Sequence, residues 1–147
     1  FYMTRHAIPL MKAQRNGAII NMSSNAGLSG CPLRSPYAAS KWAAIGLAKT
    51  WAMELGPWNI RVNALCPGSV SGPRIEGVIN RDAEARGMEA DDIRRVYQRQ
   101  GSLRQFTDPE DIAAMVSFLA GPGGKKVSGQ AIAIDGHTES LANWLDP

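Results

Sequence analysis

The chain has 147 residues, 44% of them apolar and 20% charged, which supplies one core and too little material for two well-separated domains. Its net charge of +3 comes from Lys and Arg scattered among acids, so no basic block of the kind nucleic acid attracts is present, and no nucleic-acid partner is expected. No run of eighteen apolar residues occurs, which argues against a membrane-spanning helix, and Cys31 and Cys66 lack metal-ligand spacing, so the expectation is a soluble protein of the reducing cytoplasm with neither zinc nor disulfide.

The chain opens on Phe1 and runs directly into a helical pattern, so it reads as a piece of something longer. Met3, Ala7, Leu10 and Met11 recur at helical spacing, which predicts a helix over 2–15 closed by Asn16-Gly17. The run from Ala18 to Ser23 is short, β-branched at its centre and apolar on both faces, the pattern of a central strand in a parallel sheet. After a loop rich in Ser, Gly and Pro, Ser35-Pro36 supplies an N-cap and a first-turn proline for the longest helix, which should end at Gly56-Pro57. Ile60, Val62, Ala64 and Leu65 form a second strand, completing a strand-helix-strand crossover of the parallel type. Residues 69–103 are polar and helix-prone, with Ile75, Val78 and Ile79 in one amphipathic piece and Ile93, Val96 and Tyr97 in another. Asp108-Pro109-Glu110-Asp111 caps a further helix with Ile112, Met115, Val116 and Leu119 as its buried stripe. A last strand from Ala131 to Ile134 runs into Asp135-Gly136 and a tail containing Trp144.

Tyr37 and Lys41 stand one helical turn apart near the start of the long helix, so both side chains can act on one reacting atom. A Tyr four residues before a Lys is common by chance. Ser24 gives the pair its context, because it falls at the carboxyl end of the preceding strand, where open parallel sheets place their ligands. Ser23 is the alternative hydroxyl, but strand alternation turns it to the opposite side.

These residues resemble a known family. Asn21-Met-Ser-Ser24, Gly27, Gly30, Pro32 and Tyr37-Ala-Ala-Ser-Lys41 are similar to the active-site segment of short-chain dehydrogenases/reductases, including a separation of thirteen between Ser and Tyr (37 − 24). Asn59-Ile-Arg-Val-Asn63, Pro67-Gly68, Asp108-Pro-Glu-Asp-Ile112, Ser128-Gly129-Gln130 and Asp135-Gly136 match later landmarks in the right order. The resemblance implies an α/β, Rossmann-like doubly wound parallel sheet. Here 1–147 would be the carboxyl-terminal, catalytic half: three strands with flanking helices, and 69–103 as a helical lid over the substrate. The family's amino-terminal dinucleotide-binding half, with its glycine-rich turn, is absent from the sequence.

By that resemblance the activity is NAD(P)-dependent, a hydride passing between nicotinamide and a carbonyl or secondary alcohol. Tyr37 would be the general acid or base. Lys41 would favour its deprotonated form and hold the nicotinamide ribose, and Ser24 would hydrogen-bond the substrate oxygen. Pro67, Gly68 and Val70 would lie along the nicotinamide, joined by Tyr37 and Lys41 as cofactor contacts to NAD or NADP. One departure stands out: many relatives have Thr four residues after that Gly, and here the position is Gly72, leaving backbone or Ser71 to substitute. No metal site is implied. Residues 69–103 run longer than in the compact acyl-carrier reductases, which points to a small polyol, sugar or hydroxy-acid-like alcohol.

Two other readings are weighed. A non-catalytic binding or assembly subunit would keep the fold but need not keep Ser24, Tyr37 and Lys41, and all three are present. An extended-branch sugar-nucleotide epimerase shares Tyr and Lys, but 59–63, Pro67-Gly68 and the short tail favour the non-extended branch. His6 and His137 read as surface residues, and Arg74, Arg81 and Arg86 as a solvated helix face rather than contacts to an anionic substrate. Trp42, Trp51 and Trp58 read as packing residues. The long helix is apolar nearly all round and must bury a second face, and the family pairs it with the preceding helix between subunits, so a homodimer or homotetramer is expected.

Overall fold

The computed structural model describes residues 1–142; the tail residue Trp144 lies outside them. Three parallel strands, β1 (Gly17–Met22), β2 (Ile60–Pro67) and β3 (Ala131–Ile134), lie in the order β1-β2-β3. They alternate with α1 (Tyr2–Gln14), α2 (Ser35–Leu55), α3 (Pro73–Arg86), α4 (Ala90–Gln98) and α5 (Pro109–Ala120). The α/β class, the parallel pairing and the element order all agree with the sequence reading.

Residues 60 and 62–67 are all buried, whereas β1 is half-buried with Met22 exposed, because among the described residues β2 has a strand on each side and β1 pairs with β2 alone. On β2, the even positions Ile60, Val62, Ala64 and Cys66 meet Ile45, Ala48, Trp51 and Leu55 of α2, with Ile8 and Met11 of α1 alongside. Each large aliphatic side chain buried there is worth roughly 1.5–3 kcal/mol.

The odd positions of β2 turn the other way and do a different job. The Arg61 guanidinium donates to the carbonyls of Leu119, Gly124 (2.9 Å) and Ala120 (3.3 Å), closing the carboxyl end of α5. Cations at that end satisfy orphan carbonyls and oppose the negative end of the helix dipole. Asn63, 1% exposed, donates to Val127 O (2.9 Å) and accepts from Gln130 N (3.0 Å), fixing the approach to β3. Asn59 sits in the left-handed region at φ 57° and donates to Arg15 O at 3.1 Å, and Arg15 is itself left-handed at φ 49°. The two helix-to-strand turns are thus tied together, and the 59–63 motif is structural throughout.

Three local expectations need correction. The residue capping α2 is Arg34, with Ser35 and Pro36 already inside the helix; a proline needs no N–H in the first turn, so either register accommodates it. Of the expected α5 stripe only Leu119 is buried, and Ile112, Met115 and Val116 are half-buried, since the α5 contacts fall on the partly covered strand β1. Of the three tryptophans, Trp51 is in the core and Trp58 lies under the Lys12 and Arg15 cations (5.1 and 5.7 Å to the ring), but Trp42 is 53% exposed.

Residues 69–103 leave the sheet as a pair of helices with a core of their own: Ile75, Ile79 and Ala83 of α3 against Ile93 of α4, with Val78, Tyr97 and Phe106 beside them. Few large apolar residues were needed, because these few converge. Arg94 grips Glu76 with both Nη atoms (2.6 and 2.5 Å), and this hydrogen bonding holds the Glu76 carboxyl below its usual range. Backbone bonds fasten both ends of the hairpin: Thr107 N to Ser69 O and Ser71 N to Thr107 O (both 2.9 Å) at one, Ser102 N to His137 O (2.9 Å) at the other. Among the described residues no helix is long and apolar enough to cross a membrane.

Candidate active site

The carboxyl ends of β1 and β2, the start of α2 and the inner side of α3 and α4 enclose one cavity of about 830 Å³. Of the residues singled out by sequence, Ser24, Tyr37, Gly68 and Val70 line it. Lys41 and Pro67 do not border the cavity; Lys41 lies beside the Tyr37 ring, and Pro67 is the last residue of β2.

Ser24 follows β1 in an extended conformation and caps the short turn Asn25–Gly27, its Oγ accepting from Ala26 N at 3.2 Å. The same hydroxyl donates to Asn25 Oδ1 at 3.2 Å. Both bonds are long, so the hydroxyl proton is easily redirected to a better acceptor. Ser23 faces the opposite way: its Oγ donates to Lys41 O at 2.8 Å and so anchors α2 to the strand end. Beneath it Cys66 is fully buried, and burial pushes its thiol above the usual range. Both cysteines are free.

Tyr37 lies in the first turn of α2 and is 36% exposed; among the described residues its hydroxyl has no protein partner. The Lys41 ammonium lies 5.5 Å from the Tyr37 ring centroid and donates to Met22 O at 3.2 Å. The helical spacing of four residues puts the ammonium beside the ring, and the carbonyl at the end of β1 orients it. Two of its three protons remain for other acceptors.

Gly68 is glycine for a packing reason, since an added Cβ would stand 2.8 Å from Asp135 Cβ. The bare backbone is filled by the turn after β3. Gly72, at the position where many relatives carry Thr, has φ 132° and ψ −177°, a region essentially closed to other residues. A Thr could not hold this entry to α3 without strain. Ser71, the suggested substitute, lines the cavity but gives its hydroxyl to Asp108 Oδ1 at 2.6 Å.

The sequence reading missed much of the lining. Asn25 joins Ser24 to the turn after β3 by donating to Thr138 Oγ1 at 3.0 Å, and Thr138 in turn bonds Asp135. Arg34, Asp82 and Tyr97 also line the cavity. Burial, with the charge of the Asp82 carboxylate, holds the Tyr97 phenol above its usual range. Asp82 and Tyr97 reach the pocket only through the packing of α3 on α4, so no local pattern marks them. His6 and His137 are exposed, as expected.

Comparison with known proteins identifies the family. The family model described as enoyl-(acyl carrier protein) reductase matches residues 1–137. A 3-oxoacyl-[acyl-carrier-protein] reductase, FabG, of Thermotoga maritima is 40% identical over 136 residues, 92% of this chain and 51% of that protein. An NAD+-bound xylitol dehydrogenase superposes with a TM-score of 0.81 at 29% identity, over 89% of this chain and 52% of the other. An actinorhodin polyketide ketoreductase with NADPH gives 0.80 at 30% identity, over 91% and 50%. The chain therefore spans about half the length of the relatives it matches. With these matches running across almost all of the described residues, the chain belongs to the short-chain dehydrogenase/reductase family.

Proposed function

We propose that this chain carries the catalytic half of an NAD(P)-dependent oxidoreductase that interconverts a carbonyl and a secondary alcohol, with Tyr37 as the proton donor and acceptor. One observation carries the reading: Ser24 and the unpartnered Tyr37 hydroxyl line the same cavity, with the Lys41 ammonium held beside the Tyr37 ring. In the reducing direction Tyr37 gives its proton to the substrate oxygen, and Ser24 redirects its hydroxyl to the same oxygen, orienting it and stabilising the charge that develops there. Lys41 stabilises the phenolate left behind.

The residues present fit the nicotinamide end of the cofactor. Lys41 has ammonium protons free for ribose hydroxyls, and the backbone from Gly68 to Val70 borders the cavity beside Tyr37. NAD(P) supplies the hydride when bound. NAD+ and NADPH occur in the two structural relatives named above, so either dinucleotide is compatible. The helices of 69–103 form the outer wall as a lid, excluding water from the reacting atoms.

Two further features belong to the same reading. Met3 and Leu10 of α1, and Trp42 and Met53 of α2, are strongly exposed apolar residues on two neighbouring helices, and their cover is a second copy of this chain in a homodimer or homotetramer in the cytoplasm. Ile45 of the same helix is buried in the core and is unsuitable as a probe of that face. Trp42→Glu should reduce the particle mass measured by light scattering, and an unchanged mass would remove that interface. Tyr37→Phe should lower kcat by about 100-fold or more with cofactor affinity nearly intact. Turnover retained within a few-fold would refute the assignment.

A further inference from the structure

The charged residues of the cavity are not evenly balanced. Arg34, Arg74, Arg86 and Asp82 are its only charged lining residues among those described, three cations against one anion, which leaves +2. Asp82 is already engaged: Arg86 Nε lies 2.7 Å from its Oδ1. Neither Arg34 nor Arg74 has an ion pair among the described residues. Sequence spacing alone placed Arg74, Arg81 and Arg86 together on a solvated helix face. The fold separates them, turning Arg74 and Arg86 into the cavity wall and leaving Arg81 outside it.

Arg34 comes from a different element and reaches the same space. It precedes α2, three residues before Tyr37. Arg34, Arg86 and Tyr97 all border this cavity. A concave site with uncompensated guanidinium groups concentrates anions, and the planar fork matches the paired oxygens of a carboxylate or phosphate. The lining also includes the apolar side chains of Ile75 and Val78. The cavity thus combines the Ser24 and Tyr37 hydroxyls, apolar side chains and unpaired guanidinium groups.

We propose that the substrate carries an oxyanion group, carboxylate or phosphate, away from its reacting carbon, and that Arg34, assisted by Arg74, selects for it. The inference rests on the oxidoreductase reading for the direction in which the substrate lies. Arg34 is here a specificity-determining residue, and Arg86 is engaged with Asp82.

The test separates charge recognition from turnover by measuring binding. The chain is titrated, with NMR detection, with 3-hydroxybutyrate, with its uncharged methyl ester and with glycerol 1-phosphate, in the wild type and in R34Q and R81Q. The two substitutions remove the same charge, and only Arg34 borders the cavity. At least one anionic probe should bind tenfold or more tightly than the ester. R34Q should erase most of that preference and R81Q should keep it. Preference for 3-hydroxybutyrate identifies a carboxylate, and preference for glycerol 1-phosphate identifies a phosphate. Equal binding of charged and neutral probes, or equal effects of the two substitutions, would overturn the proposal. An intact charge preference combined with no turnover on any alcohol or ketone would instead count against the oxidoreductase reading.

Discussion

Replacing Gly27 by Ala adds one carbon at a place where the active-site helix rests on the loop after β1. The new Cβ would stand 2.6 Å from Ser23 Oγ, 2.9 Å from Lys41 O and 3.0 Å from Ile45 Cδ1. The Ile45 methyl can yield by rotating, but Lys41 O is helix backbone and moves only if α2 moves. Overpacking of this kind costs about 1–3 kcal/mol, and losing the Ser23–Lys41 bond adds about 1 kcal/mol. The stiffer unfolded chain returns about 0.4–1 kcal/mol. The net loss should be about 2 kcal/mol, or a fall of about 1 M in the urea midpoint at a slope near 2 kcal/mol/M. Gly30→Ala is the matched control, because nothing lies within 4 Å of its added Cβ, and its midpoint should hold or rise slightly. Urea unfolding followed by fluorescence of the buried Trp51 reads both variants. A Gly27→Ala midpoint within 0.2 M of wild type, roughly the error of such a curve, or an equal fall in Gly30→Ala, would refute the steric argument.

Asn63→Ala should cost about 3–5 kcal/mol, since it leaves Val127 O and Gln130 N without their buried partner, each worth a bond plus a desolvation penalty; chemical denaturation checks it, and a loss under about 1 kcal/mol would contradict it. Glu76→Gln tests the hairpin through pH. Because its folded carboxyl lies below the ordinary 4.5, the stability it contributes is complete above that value and disappears as pH falls through the lowered one. Wild type should therefore melt higher than Glu76→Gln at pH 7, with the gap closing in acid, and a gap that is constant with pH would argue against the pairing with Arg94.

Elements with strong local signals are legible in the amino-acid sequence. The helical spacing of α1, α2 and α5, the β-branched strands and the Pro and Gly boundaries depend on neighbouring residues, so the α/β order follows from them. The Ser24, Tyr37 and Lys41 set is legible for a similar reason, since two of the three stand one turn apart and the third sits at a strand end. Sequence could not tell Gly27 from Gly30: both stand in the same loop, and only the distance to α2 makes one indispensable to packing and the other dispensable.

Tertiary structure also decided the pairing: β1 and β2 are both apolar, and among the described residues β2 hydrogen-bonds to a strand on each side and β1 to β2 alone. It decided that the 59–63 motif serves the ends of α1, α5 and β3 rather than the reaction, because its partners lie 44 to 67 residues away. The cationic wall is the same kind of case. Arg34, Arg74 and Arg86 come from a turn and the two ends of α3, and they border one cavity only because the helical hairpin folds back over the strand ends. Local physics thus specified the elements and the one-turn spacing of Tyr37 and Lys41, while the pocket beside them depends on long-range contacts that no short window of sequence contains.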